Sequence, residues 1–255
     1  MKIYPANRAR PYGFTLVELL VIIAIIAVLA SLLLPTIDGT KSRAKSASCI
    51  NNLRQLSLGC KIYADDNNGR LIVNLPQPST DTAWVSGEIK TATQSTNQSV
   101  VRTGRLFPYI ANPAVYHCPA DLTQFGSLDP VLSYSMNSWM GSRTMSQFAV
   151  SVNGSSYRTF VREAEILAIA ATSRLWLLAD EDASTLDDGW FKVTMNDAQP
   201  FASFPGIRHG HGYGVTFADN HAEVIKLRSS ESLPRKQISP ADPDWLVFKQ
   251  MTTEP

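Results

Sequence analysis

The residues whose chemistry suits metal binding or proton transfer gather late in the chain. His209, His211, Asp219 and His221 bring three imidazoles and a carboxylate into a short stretch, a donor set suited to a divalent metal or to acid–base work. Upstream, Asp180, Asp182, Asp187 and Asp188 could add carboxylates to that set. Neither group has H-E-x-x-H or EF-hand spacing. Asp219 and Asn220 are also turn formers, so turn geometry, with His209 hydrogen-bonded to backbone to tie a hairpin to the loop before it, accounts for the late group without a metal. That reading is favoured over a metal or catalytic cluster, and no metal is assigned.

Nucleophile chemistry finds no frame. There is no G-x-S-x-G, Walker loop or dinucleotide fingerprint, and Gly210-His211-Gly212-Tyr213-Gly214 lacks the lysine and following helix of a phosphate cradle. Cys49, Cys60 and Cys118 contain no C-x-x-C pair and allow one bridge with one thiol left over. The chain is therefore read as a non-enzyme without a cofactor.

The elements that carry these residues belong to a chain of 255 residues, 44% apolar and 18% charged, with a formal charge of +1. That length supports one or two domains with a real core. A near-zero charge excludes the basic footprint of a nucleic-acid binder. Charged residues fall below the soluble average of about 25%, as on an extracytoplasmic surface. In such an oxidising setting Cys118 is expected to bridge Cys49 or Cys60.

From Phe14 to Leu34 the sequence is apolar on every helical side except at Thr15, Glu18 and Ser31. At about 1.5 Å per residue this run spans about 30 Å, the thickness of a bilayer core. It is too long for a secretory signal and lacks an A-x-A cleavage site. Lys2, Arg8 and Arg10 before it are nearly balanced by Lys41, Arg43 and Lys45 after it, so only the free amino terminus tips the orientation toward a cytoplasmic N-terminus. Glu18 is an acid one turn into this run, and such a group needs a partner.

Gly13-Phe14-Thr15-Leu16-Val17-Glu18, after a short basic leader and before a long apolar run, resembles the processing site of type IV prepilins and type II secretion pseudopilins. The resemblance implies that a prepilin peptidase cleaves between Gly13 and Phe14, that the new Phe14 amine is N-methylated, and that this amine on one subunit neutralises Glu18 of a neighbour during assembly. Pro35 falls where helices of that family often bend or melt, and because major pseudopilins commonly hold calcium in a carboxylate-rich loop, the resemblance makes Asp180, Asp182, Asp187 and Asp188 a candidate calcium site.

Beyond it, Ile50, Leu53, Leu56, Cys60 and Tyr63 recur at helical spacing and predict an amphipathic stem that Asp65 to Gly69 stops. Thr91 to Ser99 reads as an exposed loop, Arg158 to Ala171 as a helix, Leu175 to Ala179 as a strand, and Glu181 to Gly206 as loop. Tyr213 to Ala218 and His221 to Leu227 bracket Asp219-Asn220 as a two-residue hairpin, predicting Phe217 opposite Ala222 and Val215 opposite Val224.

A second resemblance lies here. Arg208-His209, then nine residues, then Asp219-Asn220-His221 is similar to the H-x9-DG signature of large prepilin-like proteins of Planctomycetes and Verrucomicrobia, with Asn220 where that family has Gly. Further anchors are Cys49 to Gln55, Tyr63 to Gly69, Cys118-Pro119-Ala120-Asp121 and Ser133 to Asn137.

The expected architecture is α+β and pilin-like. It has a leader at 1–13, a transmembrane helix at 14–34, a stem helix at 35–66 and a periplasmic head at 70–255 with an antiparallel sheet. The expected role is a structural subunit of a type IV pilus or type II secretion-like filament in the inner membrane. Its partners would be the prepilin peptidase, other pilin or pseudopilin subunits and the membrane, with no nucleic acid. The alternative is a membrane-anchored periplasmic hydrolase or glycan-binding protein that uses a prepilin-type export signal.

Overall fold

The apolar run and the amphipathic stripe fall within a single helix, α1 (Leu16–Asp66). The computed structural model describes residues 14–148, 156–169, 172–196, 202–228, 239 and 241–255; the leader at 1–13, Gly13 included, lies outside them. The chain divides into two units, one up to Lys41 and one from Ser42 onward. In the first, the backbone is helical from Leu16 onward and through position 35, without the interruption expected at the proline. Apolar side chains there, among them Phe14, Leu16, Val17, Ile22, Ile26 and Leu29, are exposed in the single chain. No helix among the described residues is long and apolar enough to cross a membrane. Positions 30 and 32–34 of the apolar run lie outside the residues whose side chains are described.

In the second unit the stem stripe is realised. Leu53 and Leu56 are fully buried, Cys60 and Tyr63 nearly so, and Cys49 and Ser57 extend the same face. The helix ends where turn formers accumulate. Gly69 N–H donates to Ala64 O at 2.8 Å, and Asn68 and Gly69 both adopt left-handed φ, at 57° and 71°, a conformation that Gly and Asn tolerate best.

After it come single helical turns α2 (Ala92–Ser95), α3 (Ser99–Arg102) and α4 (Phe107–Ile110), then β1 (Tyr134–Asn137) and α5 (Glu163–Leu167). They are followed by β2 (Trp176–Asp180), β3 (Trp190–Phe191), β4 (Gly212–Phe217), β5 (Ala222–Lys226) and α6 (Pro243–Gln250). The segment expected as open loop at Thr91 to Ser99 instead opens α2. Thr91 Oγ1 accepts from Gln94 N–H and Gln94 Oε1 accepts from Thr91 N–H, so polar caps make a turn that no apolar period announces. The helix expected over Arg158 to Ala171 is confined to α5 among the described residues, positions 170–171 lying outside them. Arg158 and Phe160 commit their N–H groups to Glu254 O and Trp139 O.

Among the described residues five strands form one sheet in the order β3-β1-β2-β4-β5. It is mixed rather than antiparallel, because β3 pairs with β1 in parallel, Met136 opposite Trp190. Two residues carry no readable period; β3 is placed by its surroundings, with Trp84 Nε1 donating to Gly189 O and Trp190 N–H to Asp188 Oδ1. One apolar cluster holds the stem side chains with Tyr134, Met136 and Leu178. A second holds Trp176, Tyr213, Val215 and Phe217 with Trp245 and Phe248 of α6. The alternation of β1 and β4 side chains thus puts the stem on one face of the sheet and α6 on the other.

The late hairpin forms, with a register one residue from that expected. Thr216 lies opposite Ala222 and Val215 opposite Glu223, because Phe217 N–H bonds to His221 O and the loop spans three residues, Ala218 to Asn220. Asn220 takes φ 70°, the left-handed position that closes a three-residue loop.

Candidate functional site

At the head of α1, Thr15 and Glu18 form a reciprocal cap. Thr15 donates through N–H at 2.9 Å and through Oγ1 at 2.7 Å to Glu18 Oε2, and Glu18 N–H donates to Thr15 Oγ1 at 3.2 Å. T-L-V-E is therefore a capping box, satisfying donors that the first helical turn leaves unpaired. The partner expected for Glu18 on a neighbouring subunit has a rival within its own chain, although both bonds fall on one carboxylate oxygen.

In the head, the structure draws together residues that the sequence assigned to different roles. Cys49 comes from α1, Cys118 from the loop after a 3-10 turn at Pro113–Tyr116, Asp180 from the end of β2 and His209 from the loop before β4. Their ligand atoms all lie within 4.8 Å of one another and all four residues are buried. His209 Nε2 is 2.9 Å from Asp180 Oδ2 and 3.5 Å from Cys118 Sγ, and Cys49 Sγ is 3.4 Å from Asp180 Oδ2. Here His209 departs from its expected part. Its ring reaches the stem, with Nδ1 3.0 Å from Ser46 Oγ, while its backbone N–H bonds to Gly212 O.

The approach of helix to sheet depends on Gly214. A Cβ there would lie 2.8 Å from both Asp180 Oδ2 and Leu53 Cδ1 and 3.4 Å from Cys49 Sγ, so only glycine lets the stem settle over β4 at this point. Gly214 N–H also donates to Asp180 Oδ2 at 2.9 Å, and Tyr134 Oη donates to Cys49 Sγ at 3.4 Å. Arg208, almost buried, bonds Asp121 at 3.2 Å and places Nη1 3.7 Å from Asp180 Oδ1.

Burial pushes the Cys49 thiol up, and the hydrogen bond it offers to Cys118 holds the Cys118 thiol below its usual range against the cost of burial. Burial opposes a charged His209, but hydrogen bonds to Asp180 and Cys118 outweigh it and raise its pKa to about 9. The three cysteines are free and buried; Cys60 stands outside this group.

The other expected site residues do not join it. Asp219 and His221 are bonded to each other beside the turn, with the His221 ring stacked on Phe217 at 4.2 Å. Asn220 Oδ1 accepts from Ser57 Oγ at 2.7 Å, and His211, exposed, has φ 64°. Among the described residues, the four upstream aspartates form no common oxygen site. Asp182 accepts from Ser184, Asp187 lies 4.0 Å from Lys90, and Asp188 accepts from two backbone N–H groups. Reading the sequence missed the Cys49, Cys118, Asp180 and His209 set because a long span of chain separates each donor from the next. The available signal was that Cys49, Cys118 and His209 each fall in one of the segments on which the expected H-x9-DG resemblance rests.

The family model for the prokaryotic N-terminal methylation motif matches residues 8–34. The chain is similar to the type II secretion system core protein G of Pectobacterium carotovorum subsp. carotovorum, 37% identical over 65 residues that make up 26% of this chain and 42% of that protein. It is similar also to that of Aeromonas hydrophila, 36% identical over 62 residues, 24% of this chain and 43% of the other. The corresponding protein of Escherichia coli strain K12 is 39% identical over 56 residues, 22% of this chain and 39% of its own. The chain spans less than half the length of these curated relatives. No solved structure matches. The chain thus carries a prokaryotic N-terminal methylation motif, is similar over about a quarter of its length to type II secretion core protein G, and has an α+β second unit.

Proposed function

We propose that this chain is a structural subunit of a type II secretion-like filament, made as a precursor that prepilin peptidase cuts between Gly13 and Phe14. The Phe14 amine is then N-methylated. Residues 14–34 sit in the inner membrane with the N-terminus cytoplasmic, and the head lies in the periplasm. The observation that carries this reading is the methylation motif over residues 8–34, where Gly13 precedes an apolar run of bilayer length that begins at Phe14 and holds Glu18 one turn in. Apolar side chains exposed along the first unit fit burial in lipid and then against other subunits.

Glu18 gives the assembly its axial register. One carboxylate oxygen serves the cap with Thr15, and the other pairs with the Phe14 amine of a neighbour, so that helices which slide freely on apolar contacts stop at one position. The work is assembly rather than catalysis, in keeping with relatives named as secretion-system core proteins.

Mass spectrometry of the mature N-terminus in the native host tests this directly. A chain beginning at N-methylated Phe14 is the expected result. A chain that keeps Met1, or begins downstream of Pro35, removes the basis of the reading.

A further inference from the structure

We propose that Cys49, Cys118, Asp180 and His209 bind one zinc ion that fastens the stem helix to the head. The inference stands on the buried centre alone and does not depend on the filament reading.

Two of the separations between ligand atoms match a tetrahedral site and a third lies close to one. With bonds of about 2.3 Å to sulfur, about 2.0 Å to nitrogen and about 2.0 Å to oxygen, neighbouring ligands of a tetrahedral zinc lie about 3.3 to 3.8 Å apart. Cys49 Sγ to Asp180 Oδ2 at 3.4 Å and Cys118 Sγ to His209 Nε2 at 3.5 Å already match those edges. The edge from His209 Nε2 to Asp180 Oδ2, at 2.9 Å, is a hydrogen bond that widens by a few tenths of an ångström when a metal replaces the shared proton.

Chemistry and charge agree with geometry. Two thiolates exclude calcium and magnesium, and the mixed sulfur, nitrogen and oxygen set suits zinc. Two thiolates and a carboxylate against a dication leave one negative charge, which Arg208, 3.7 Å from Asp180 Oδ1, compensates. Three outer contacts orient the ligands: Ser46 on His209 Nδ1, Tyr134 on Cys49 Sγ and Gly214 N–H on Asp180 Oδ2. Metal-bound histidines and thiolates are held by such contacts. With four protein ligands and no open position the site is structural. It ties four distant segments of chain together, so its loss loosens the stem from the head.

A Cys49–Cys118 disulfide is the competing use of these sulfurs, and the two exclude each other. The test uses the full chain purified in detergent micelles without chelator. Elemental analysis is expected to find about one zinc per chain, and cobalt(II) exchanged into the protein should give thiolate-to-cobalt charge transfer and tetrahedral ligand-field bands. Chelation should lower the melting temperature. Cys118→Ser and His209→Ala lose the metal, Cys60→Ser keeps it, and Ser46→Ala weakens affinity by about 10- to 100-fold. Should the ligand variants fail to fold, the cobalt spectrum and chelator shift of the unaltered protein decide the matter. The proposal is overturned by a Cys49–Cys118 disulfide found in peptide mapping of the metal-free native protein. It is equally overturned by zinc retained in both ligand variants, or by reduced protein that takes up neither zinc nor cobalt.

Discussion

Ser57 Oγ donates a 2.7 Å hydrogen bond to Asn220 Oδ1, joining the buried face of the stem helix to the loop of the β4–β5 hairpin. Ser57 is fully buried, and Asn220 holds φ 70° where glycine would be unstrained. One side chain thus offsets a backbone cost with a tertiary bond.

Asn220→Gly relieves the strained φ, a gain of up to about 1 kcal/mol. It also leaves the Ser57 hydroxyl buried without its acceptor, at about 1 to 3 kcal/mol. The loss outweighs the gain, so the variant is expected to be less stable by about 1 kcal/mol. Adding Ser57→Ala should recover part of that loss. A denaturant double-mutant cycle on the full chain in detergent checks it; a stabilised Asn220→Gly single variant would refute the argument.

Gly214→Ala is expected to destabilise the head by about 1 to 3 kcal/mol, through overpacking between stem and sheet. Its Cβ would press on Asp180 Oδ2 and Leu53 Cδ1, each at 2.8 Å, neither of which is a loose surface group. Gly126→Ala is a less telling control because φ there is 67°; exposed Leu58→Ala is better, and should change stability by no more than about 0.5 kcal/mol. Equal midpoints for Gly214→Ala and the unaltered chain would show that the close approach is not obligatory.

How much of this could be read beforehand follows from the length scale of each signal. The stem face announced itself through Leu53, Leu56, Cys60 and Tyr63, because helical periodicity is local. The hairpin was visible, but its register was not: a loop of Asp219-Asn220 and one of Ala218 to Asn220 use the same residues, and only the His221 O to Phe217 N–H bond chooses between them. The centre at His209 was hidden altogether. Cys49 and Cys118 invite a disulfide and Asp180 a calcium loop when each is read in its own neighbourhood. It is sheet order and the seat of α1 on β4, both long-range properties, that bring the donors to one point.

Stability should fall as pH rises across the acid-to-neutral range, and Asp188 is one source. Its buried carboxyl accepts from Gln77 N–H at 2.7 Å and Trp190 N–H at 2.9 Å. Burial nevertheless pushes its pKa up, to about 7, with Asp187 adding to the shift and the two backbone donors working against it. Between its ordinary value of 3.8 and the raised one, the folded chain holds a proton that the unfolded chain releases. The stabilisation is full below the lower value and is lost as pH passes the upper, with a slope of at most about 1.4 kcal/mol per pH unit. Asp188→Asn keeps one acceptor and does not titrate, so its denaturant midpoint should vary less with pH whatever its absolute stability. An unchanged slope would assign the pH dependence elsewhere.

Glu18 has two candidate duties, and they come apart under substitution. As the last residue of the capping box it needs only an acceptor, which glutamine also supplies. As the partner of a neighbour's Phe14 amine it needs its charge. Glu18→Gln should therefore leave helix content and peptidase processing intact while filament assembly is lost. Thr15→Ala, which removes the hydroxyl but leaves the carboxylate, should fray the first turn and still assemble. Circular dichroism of the purified chain, together with sedimentation of sheared filaments, reads both effects. If Thr15→Ala abolishes assembly and Glu18→Gln spares it, the carboxylate acts within its own helix, and register must be set by the apolar side chains that follow it.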